Sequence, residues 1–101
     1  MTTDELINAV KMWGIEKDLD DPKAQLNKVI EEVGEMAHEI SRNRYGRNLE
    51  DAIGDTLVTV ILLSYICGYE PMGCLAVAYN EIKNRVGETK NGTFVKDGET
   101  A

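Results

Sequence analysis

Apolar residues recur along most of this chain with a spacing of three and four, so the pattern predicts helices nearly throughout. Thr3 or Asp4 can cap a first helix running to about Met12, with Leu6, Ile7 and Val10 on one face. The stretch 13–20 breaks the period and reads as a connection. Asp21-Pro22 then supplies an N-cap followed by Pro at the first helical position, which the fixed φ of proline suits. From there Leu26, Val29, Ile30, Val33, Ala37 and Ile40 form the expected inward stripe of a second helix reaching about Arg44. Asn48 is the expected cap of a third helix, closed at Gly68. Glu70-Pro71 starts a fourth, with Leu75, Ala78, Tyr79 and Ile82 facing inward and Gly87 as its stop. Residues 1–87 read as one helical domain. The polar tail 88–101, with Asn91-Gly92 before Thr93-Phe94-Val95, allows a short hairpin.

The third helix departs from a surface pattern. Leu57, Val58, Val60, Ile61, Leu62 and Leu63 leave it apolar around most of its circumference, and such a helix must be covered on every side. Three partner helices, two of them short, cannot do this alone. The expected fold class is therefore all-α, a four-helix bundle-like protomer assembled as a homodimer or homotetramer around the third helix.

Composition narrows the functional classes. The 101 residues include 11 basic and 18 acidic side chains, a formal charge of −7, which opposes nucleic acid as a partner. The N-terminal segment has no basic start followed by an apolar run, and the longest apolar stretch is too short to span a bilayer. A cytoplasmic location without membrane association is expected. Cys67 and Cys74 lack metal-ligand spacing and read as reduced packing residues.

The acids are not evenly spread. Glu31, Glu32, Glu35 and Glu39 fall on the second helix and Glu50, Asp51 and Asp55 on the third. Glu31 and Glu35 are one turn apart, within about 40° of each other, and so are Asp51 and Asp55. The stripe carrying the two aspartates continues through Val58 and Leu62, so it is expected to be buried, where unpaired carboxylates are costly. A solvated acidic face, with Lys28 pairing Glu32, accounts for the glutamates but less well for Asp51 and Asp55. A hard divalent cation held by oxygen ligands of two helices accounts for both, and Mg²⁺ fits a donor set without cysteine.

Glu31-Glu32-Val33-Gly34-Glu35 followed by Asp51-Ala52-Ile53-Gly54-Asp55 resembles the Glu-Glu-x-x-Glu and Glu-x-x-Asp signature of the MazG group of all-α nucleoside triphosphate pyrophosphohydrolases. The resemblance takes in Trp13, the apolar third helix and Ala78 to Arg85, and is greatest to the short single-domain proteins of phages and bacteria. One position departs: Ala52 stands where the signature has glutamate, and Asp51 or Glu50 is the substitute oxygen donor.

The resemblance implies hydrolysis of a nucleoside triphosphate, expected to be a deoxynucleotide, between its α and β phosphates. Glu32, Glu35 and Asp55 are then expected to hold Mg²⁺, with Mn²⁺ as an alternative ion. Glu31 shares the catalytic and metal-binding assignment, orienting or deprotonating the water, and Asp51 assists the metal shell. Asn80, Lys83 and Asn84, at i, i+3 and i+4, form a donor face for phosphates and sugar, and Trp13 is the candidate to stack on the base. Arg42, Arg44 and Arg47 read as surface charge. Two alternatives stand beside this one. Glu35-x-x-His38 has the spacing of a di-iron carboxylate bundle, and a non-catalytic helical dimerisation module would explain the apolar helix but not the aspartates.

Overall fold

Thr2 opens the first helix: its hydroxyl accepts from the Glu5 amide at 3.1 Å, and Glu5 returns a carboxylate to the Thr2 amide at 3.1 Å. The expected cap at Thr3 or Asp4 is thus displaced by one residue, because only Thr2 has a glutamate three positions on to complete the reciprocal pair. The computed structural model describes residues 1–98. Among them are four α-helices, α1 (Thr3–Glu16), α2 (Pro22–Ser41), α3 (Arg47–Ile66) and α4 (Pro71–Ile82), followed by strands β1 (Gly87–Lys90) and β2 (Thr93–Lys96). The all-α class read from the sequence holds. No single described helix is long and apolar enough to cross a membrane.

Local chemistry sets the helix ends. Asp21 caps α2 by accepting from the amides of Lys23 at 2.9 Å and Ala24 at 3.4 Å, with Pro22 at the first position. Gly46, and not Asn48, is the cap of α3, and it makes no side-chain cap bond. Three helices close with the same paired bonds around a left-handed residue. For α1 this is Asp18 (φ 56), with the Leu19 amide donating to the Gly14 carbonyl; for α2 it is Asn43 (φ 54), with the Arg44 amide on the Glu39 carbonyl. Gly68 (φ 85) does the same for α3. Asn43 therefore ends α2 at Ser41, short of the expected Arg44, while α1 continues through Trp13 where the sequence pattern predicts a connection.

Residues 1–71 and the residues from 72 onward form two compact units. In the first, α2 and α3 pack antiparallel: the Gln25 amide donates to the Thr59 carbonyl at 3.1 Å at one end, and Glu39 shares a cavity with Asn48 at the other. Gly14 brings α1 against α3, since a Cβ there would collide with the buried Leu62 side chain. The core comprises Leu49, Ala52 and Leu62 with the buried Thr59. Hydroxyls within α3 are satisfied by its own backbone: Thr56 donates to the Ala52 carbonyl, Thr59 to Thr56 and Ser64 to Val60, at 2.8 to 3.0 Å.

The stripe of α2 that meets α3 is not the expected one. Gln25, Val29, Glu32, Met36 and Glu39 are buried or half-buried, whereas Leu26, Ile30, Val33, Ala37 and Ile40 are exposed, Ile30 at 61%. On α3, Ile53, Leu57 and Val60 are likewise exposed, Leu57 at 59%. Each exposed stripe lies about 100° round from its buried stripe in the direction of increasing residue number. Because the helices are antiparallel, that shared sense puts both stripes on the same side of the pair.

In the second unit, β1 and β2 pair antiparallel with Gly87 opposite Lys96 and Lys90 opposite Thr93, turning through Asn91 (φ 52) and Gly92 (φ 78). A side chain at Gly87 would collide with the Val95 carbonyl, and Val95 is buried. The expected inward residues of α4 (Leu75, Ala78, Tyr79, Ile82) are exposed, as are Cys67 and Cys74, so neither cysteine is the packing residue anticipated. The helix stops at Ile82, which leaves Lys83 and Asn84 in a turn beyond it, not on its face; the Arg85 amide closes that turn on the Ile82 carbonyl at 2.9 Å.

Candidate metal and nucleotide site

The acidic positions of α2 and α3 lie on the side of the helix pair opposite the exposed apolar stripes. At about 100° per residue, Glu31, Glu35 and Glu39 stand about 100–180° from Leu26 and Ile30, and Asp51 and Asp55 about 120–160° from Ile53 and Leu57. The structure brings Glu31, Glu32 and Glu35 together, with one carboxylate oxygen from each within 4.8 Å of the others. Asp51 and Asp55 face a cavity of about 480 Å³ that Glu31, Glu35 and Glu39 line from α2. They are outside the tight group of three, and Asp51 is exposed, so its stripe is not buried along its whole length as the sequence suggested. Burial begins one residue on, at Ala52, whose methyl group sits in the cavity wall at 4% exposure where the signature glutamate would stand.

Glu32, half-buried, sits nearer the seam with α3 than Glu31 and Glu35 do. It lines a second cavity of about 320 Å³ together with Trp13, Leu19, Gln25 and Leu62, and Asp55 borders both cavities. Glu32 Oε2 is buried and has no hydrogen-bond partner among the described residues. Burial pushes its carboxyl above the ordinary range, and the neighbouring charges of Glu35, Asp55 and Glu31 push it further, against a smaller opposing pull from Lys28. Lys28 pairs with Glu31 at 3.4 Å and not with Glu32. An orphaned buried carboxylate oxygen within a group of three, surrounded only by oxygen donors, fits a hard divalent cation.

Glu39 is the acid that sequence reasoning left out of the site. It is 7% exposed, its Oε2 accepts no hydrogen bond from the described residues, and Arg44 Nη1 stands 3.7 Å away. The signal was present in its spacing, seven residues after Glu32 and one turn after Glu35. His38 also lines the larger cavity, and Arg42 Nη1 lies 2.8 Å from its Nδ1. A guanidinium only donates, so Nδ1 is the acceptor in that contact. Asn80, Lys83 and Asn84 are exposed residues of the second unit.

Fold and site together define an all-α protein with a cluster of carboxylates, of a kind that suits a cation, on an antiparallel helix pair. The family model described as the MazG nucleotide pyrophosphohydrolase domain matches residues 20–74, more than half of the chain. The chain belongs to the MazG family, whose members are nucleotide pyrophosphohydrolases that act on nucleoside triphosphates and typically depend on a divalent metal. No curated protein and no solved structure matched it. The match takes in all of α2 and α3, with every acid of the two motifs; Trp13, Asn80, Lys83 and Asn84 fall outside it.

Proposed function

We propose that this protein is a Mg²⁺-dependent pyrophosphohydrolase that cleaves a (deoxy)nucleoside triphosphate between the α and β phosphates, giving the monophosphate and pyrophosphate. The observation that carries the reading is the Glu31, Glu32 and Glu35 cluster with its unpartnered Glu32 oxygen, faced across the helix seam by Asp55. Glu32, Glu35 and Asp55 would hold Mg²⁺, or Mn²⁺ in its place, with Asp51 supporting the shell where Ala52 offers no oxygen. The metal supplies positive charge against the triphosphate and polarises its oxygens. Glu31, exposed and tethered by Lys28, orients the attacking water and takes its proton. Trp13 offers a face for the base beside Glu32 and Asp55. A substrate arriving as its metal complex is compatible with a protein of charge −7.

The exposed apolar face formed by Leu26, Ile30, Val33, Ile53, Leu57 and Val60 is the surface through which a homodimer, or a dimer of dimers, would assemble. It lies away from the acids, so assembly through it leaves the metal site open. We place the reaction in the cytoplasm.

A panel of canonical and modified (deoxy)nucleoside triphosphates with Mg²⁺, read for pyrophosphate and monophosphate, tests the activity. The expected result is equimolar release of the two products from at least one substrate, with turnover lost in Asp55→Asn while helicity is kept. Absence of turnover across the panel, or undiminished turnover in that variant, would overturn the reading.

A further inference from the structure

One acid of the larger cavity has no part in the reaction above. Glu39, near the end of α2, is 7% exposed, whereas Glu31, Glu35 and Asp51, which line the same cavity, are exposed. Its Oε2 is buried and accepts no hydrogen bond from the described residues. The guanidinium of Arg44, itself mostly exposed, stands 3.7 Å from that oxygen, beyond hydrogen-bond reach. Closing α2 does not require the carboxylate, because the Glu39 carbonyl already accepts from the amides of Arg42 at 3.2 Å and Arg44 at 2.9 Å. A carboxylate buried without that task is costly unless something donates to it.

The surroundings indicate the donor. Glu39 shares the cavity with Glu35, one turn before it on α2, and with Asp51 and Asp55 of α3. Ala52 presents only a methyl group to the same cavity, so the wall lacks an oxygen at that point. The cavity measures about 480 Å³, room for several waters at about 30 Å³ each. Glu39 is outside the group whose oxygens lie within 4.8 Å of one another, so it does not join Glu31, Glu32 and Glu35 in direct contact with an ion. Mg²⁺ gives up its waters reluctantly and keeps several of them when carboxylates bind it. Hydrogen bonds from such waters to an ionised acceptor are charge-assisted and strong.

We propose that Glu39 is the outer carboxylate of the cation centre: it accepts hydrogen bonds from waters on the bound ion, and so supplies from α2, through solvent, the anchoring that α3 does not give at Ala52. This rests on the cation reading of Glu31, Glu32 and Glu35. Glu39 is a positioning residue, orienting the hydrated ion without touching it.

Mn²⁺ binding to the full chain without nucleotide, followed by loss of the free-ion electron paramagnetic resonance signal, tests this apart from turnover. Removing an outer partner costs about 10–100-fold in metal affinity. Glu39→Leu, similar in volume but without an acceptor, should show that loss, and Glu39→Gln, which keeps an acceptor without the charge, a smaller one. Glu50→Gln removes the same charge from an exposed position of α3 that does not line the cavity, and should change affinity by less than about twofold. In EDTA neither Glu39 variant should melt below the wild type, since a buried charge is removed and Arg44 stays solvated. A lower Tm in EDTA with unchanged Mn²⁺ affinity would make Glu39 a structural partner of Arg44 and overturn the assignment. An equal loss of affinity in Glu50→Gln would overturn it too. If Glu39→Leu does not fold, Glu39→Gln carries the comparison with Glu50→Gln. A wild type that binds no Mn²⁺ defeats the cation reading and this proposal with it, whereas binding that Glu32→Gln abolishes and the Glu39 variants leave intact defeats this proposal alone.

Discussion

Replacing Glu32 by Gln should stabilise the metal-free protein and abolish its response to metal, and the two effects have opposite signs. In the absence of a cation, oxygens of Glu31, Glu32 and Glu35 lie within 4.8 Å of one another. Two unit charges 4.8 Å apart repel by about 0.9 kcal/mol in water and about 3.5 kcal/mol at an effective dielectric constant of 20. Glu31 and Glu35 are exposed, and Lys28 sits 3.4 Å from Glu31, so screening favours the lower figure. Gln removes two such repulsions and the desolvation of a charged oxygen at nearly constant volume. A gain of about 1 kcal/mol corresponds to roughly 4–8 °C in Tm for a chain of this size. Mg²⁺ at about 100 times its Kd would add about 2.7 kcal/mol to the wild type by mass action. Thermal melts of both proteins in EDTA and in Mg²⁺, at one protein concentration, should therefore show the variant melting higher without metal and the wild type higher with it. A variant that melts lower in EDTA, or that gains as much from Mg²⁺ as the wild type, would refute the assignment of Glu32 as a ligand.

The same residue fixes a pH dependence. Burial first, then Glu35, Asp55 and Glu31, raises the folded-state pKa of Glu32 above its ordinary value of 4.5. A carboxyl with a raised pKa binds its proton more tightly in the folded state, so its contribution to stability is greatest in acid and is lost as pH rises through the folded value. The metal-free wild type should lose stability over that interval relative to Glu32→Gln. Parallel pH profiles of Tm in EDTA would remove this explanation.

Two further substitutions test the packing. Gly14→Ala gains up to about 1 kcal/mol of helix propensity but drives a methyl into buried Leu62, an overpacking cost of about 1–3 kcal/mol. A net loss should appear as a lower urea midpoint, and a higher one would contradict the close α1–α3 approach. Leu57→Lys places a charge in the centre of the exposed apolar face, and light scattering should show a shift from dimer or tetramer to monomer with helicity retained. An unchanged mass, or a wild type that is already monomeric, would dismiss this face as the interface.

What could be read from the sequence was local. Asp21-Pro22, Gly68 and Asn91-Gly92 act on backbone within a few residues of themselves, so the corresponding caps and turn fall where expected. The acidic motifs were equally legible, since helical period alone brings Glu31 and Glu35 onto one face. Two of the misjudged ends, those of α1 and α2, lie where a residue other than glycine takes the left-handed conformation, Asp18 and Asn43, a conformation those residue types adopt but do not announce. Burial on α2 was misread for a different reason. Hydrophobic period identifies a stripe that wants covering; it does not say whether the cover is the same chain. The intrachain seam took Gln25, Glu32 and Glu39, and left Leu26, Ile30 and Val33 outside.

That choice of seam accounts for the polar residues within it. Had the apolar stripe of α2 packed on α3, Glu32 and Gln25 would have turned toward solvent, where a carboxylate or carboxamide is fully hydrated and poorly oriented toward anything. Packed as it is, the seam holds Gln25 in one orientation against Thr59 and strips Glu32 Oε2 of hydrogen-bond partners, the condition under which a cation competes best with water. The exposed leucines and isoleucines are the other side of the same arrangement. A helix pair that turns its polar stripe inward to build a binding site must find cover elsewhere for its apolar one. In this chain the candidate site and the unpartnered face are therefore linked by geometry, since both follow from which stripe of α2 meets α3.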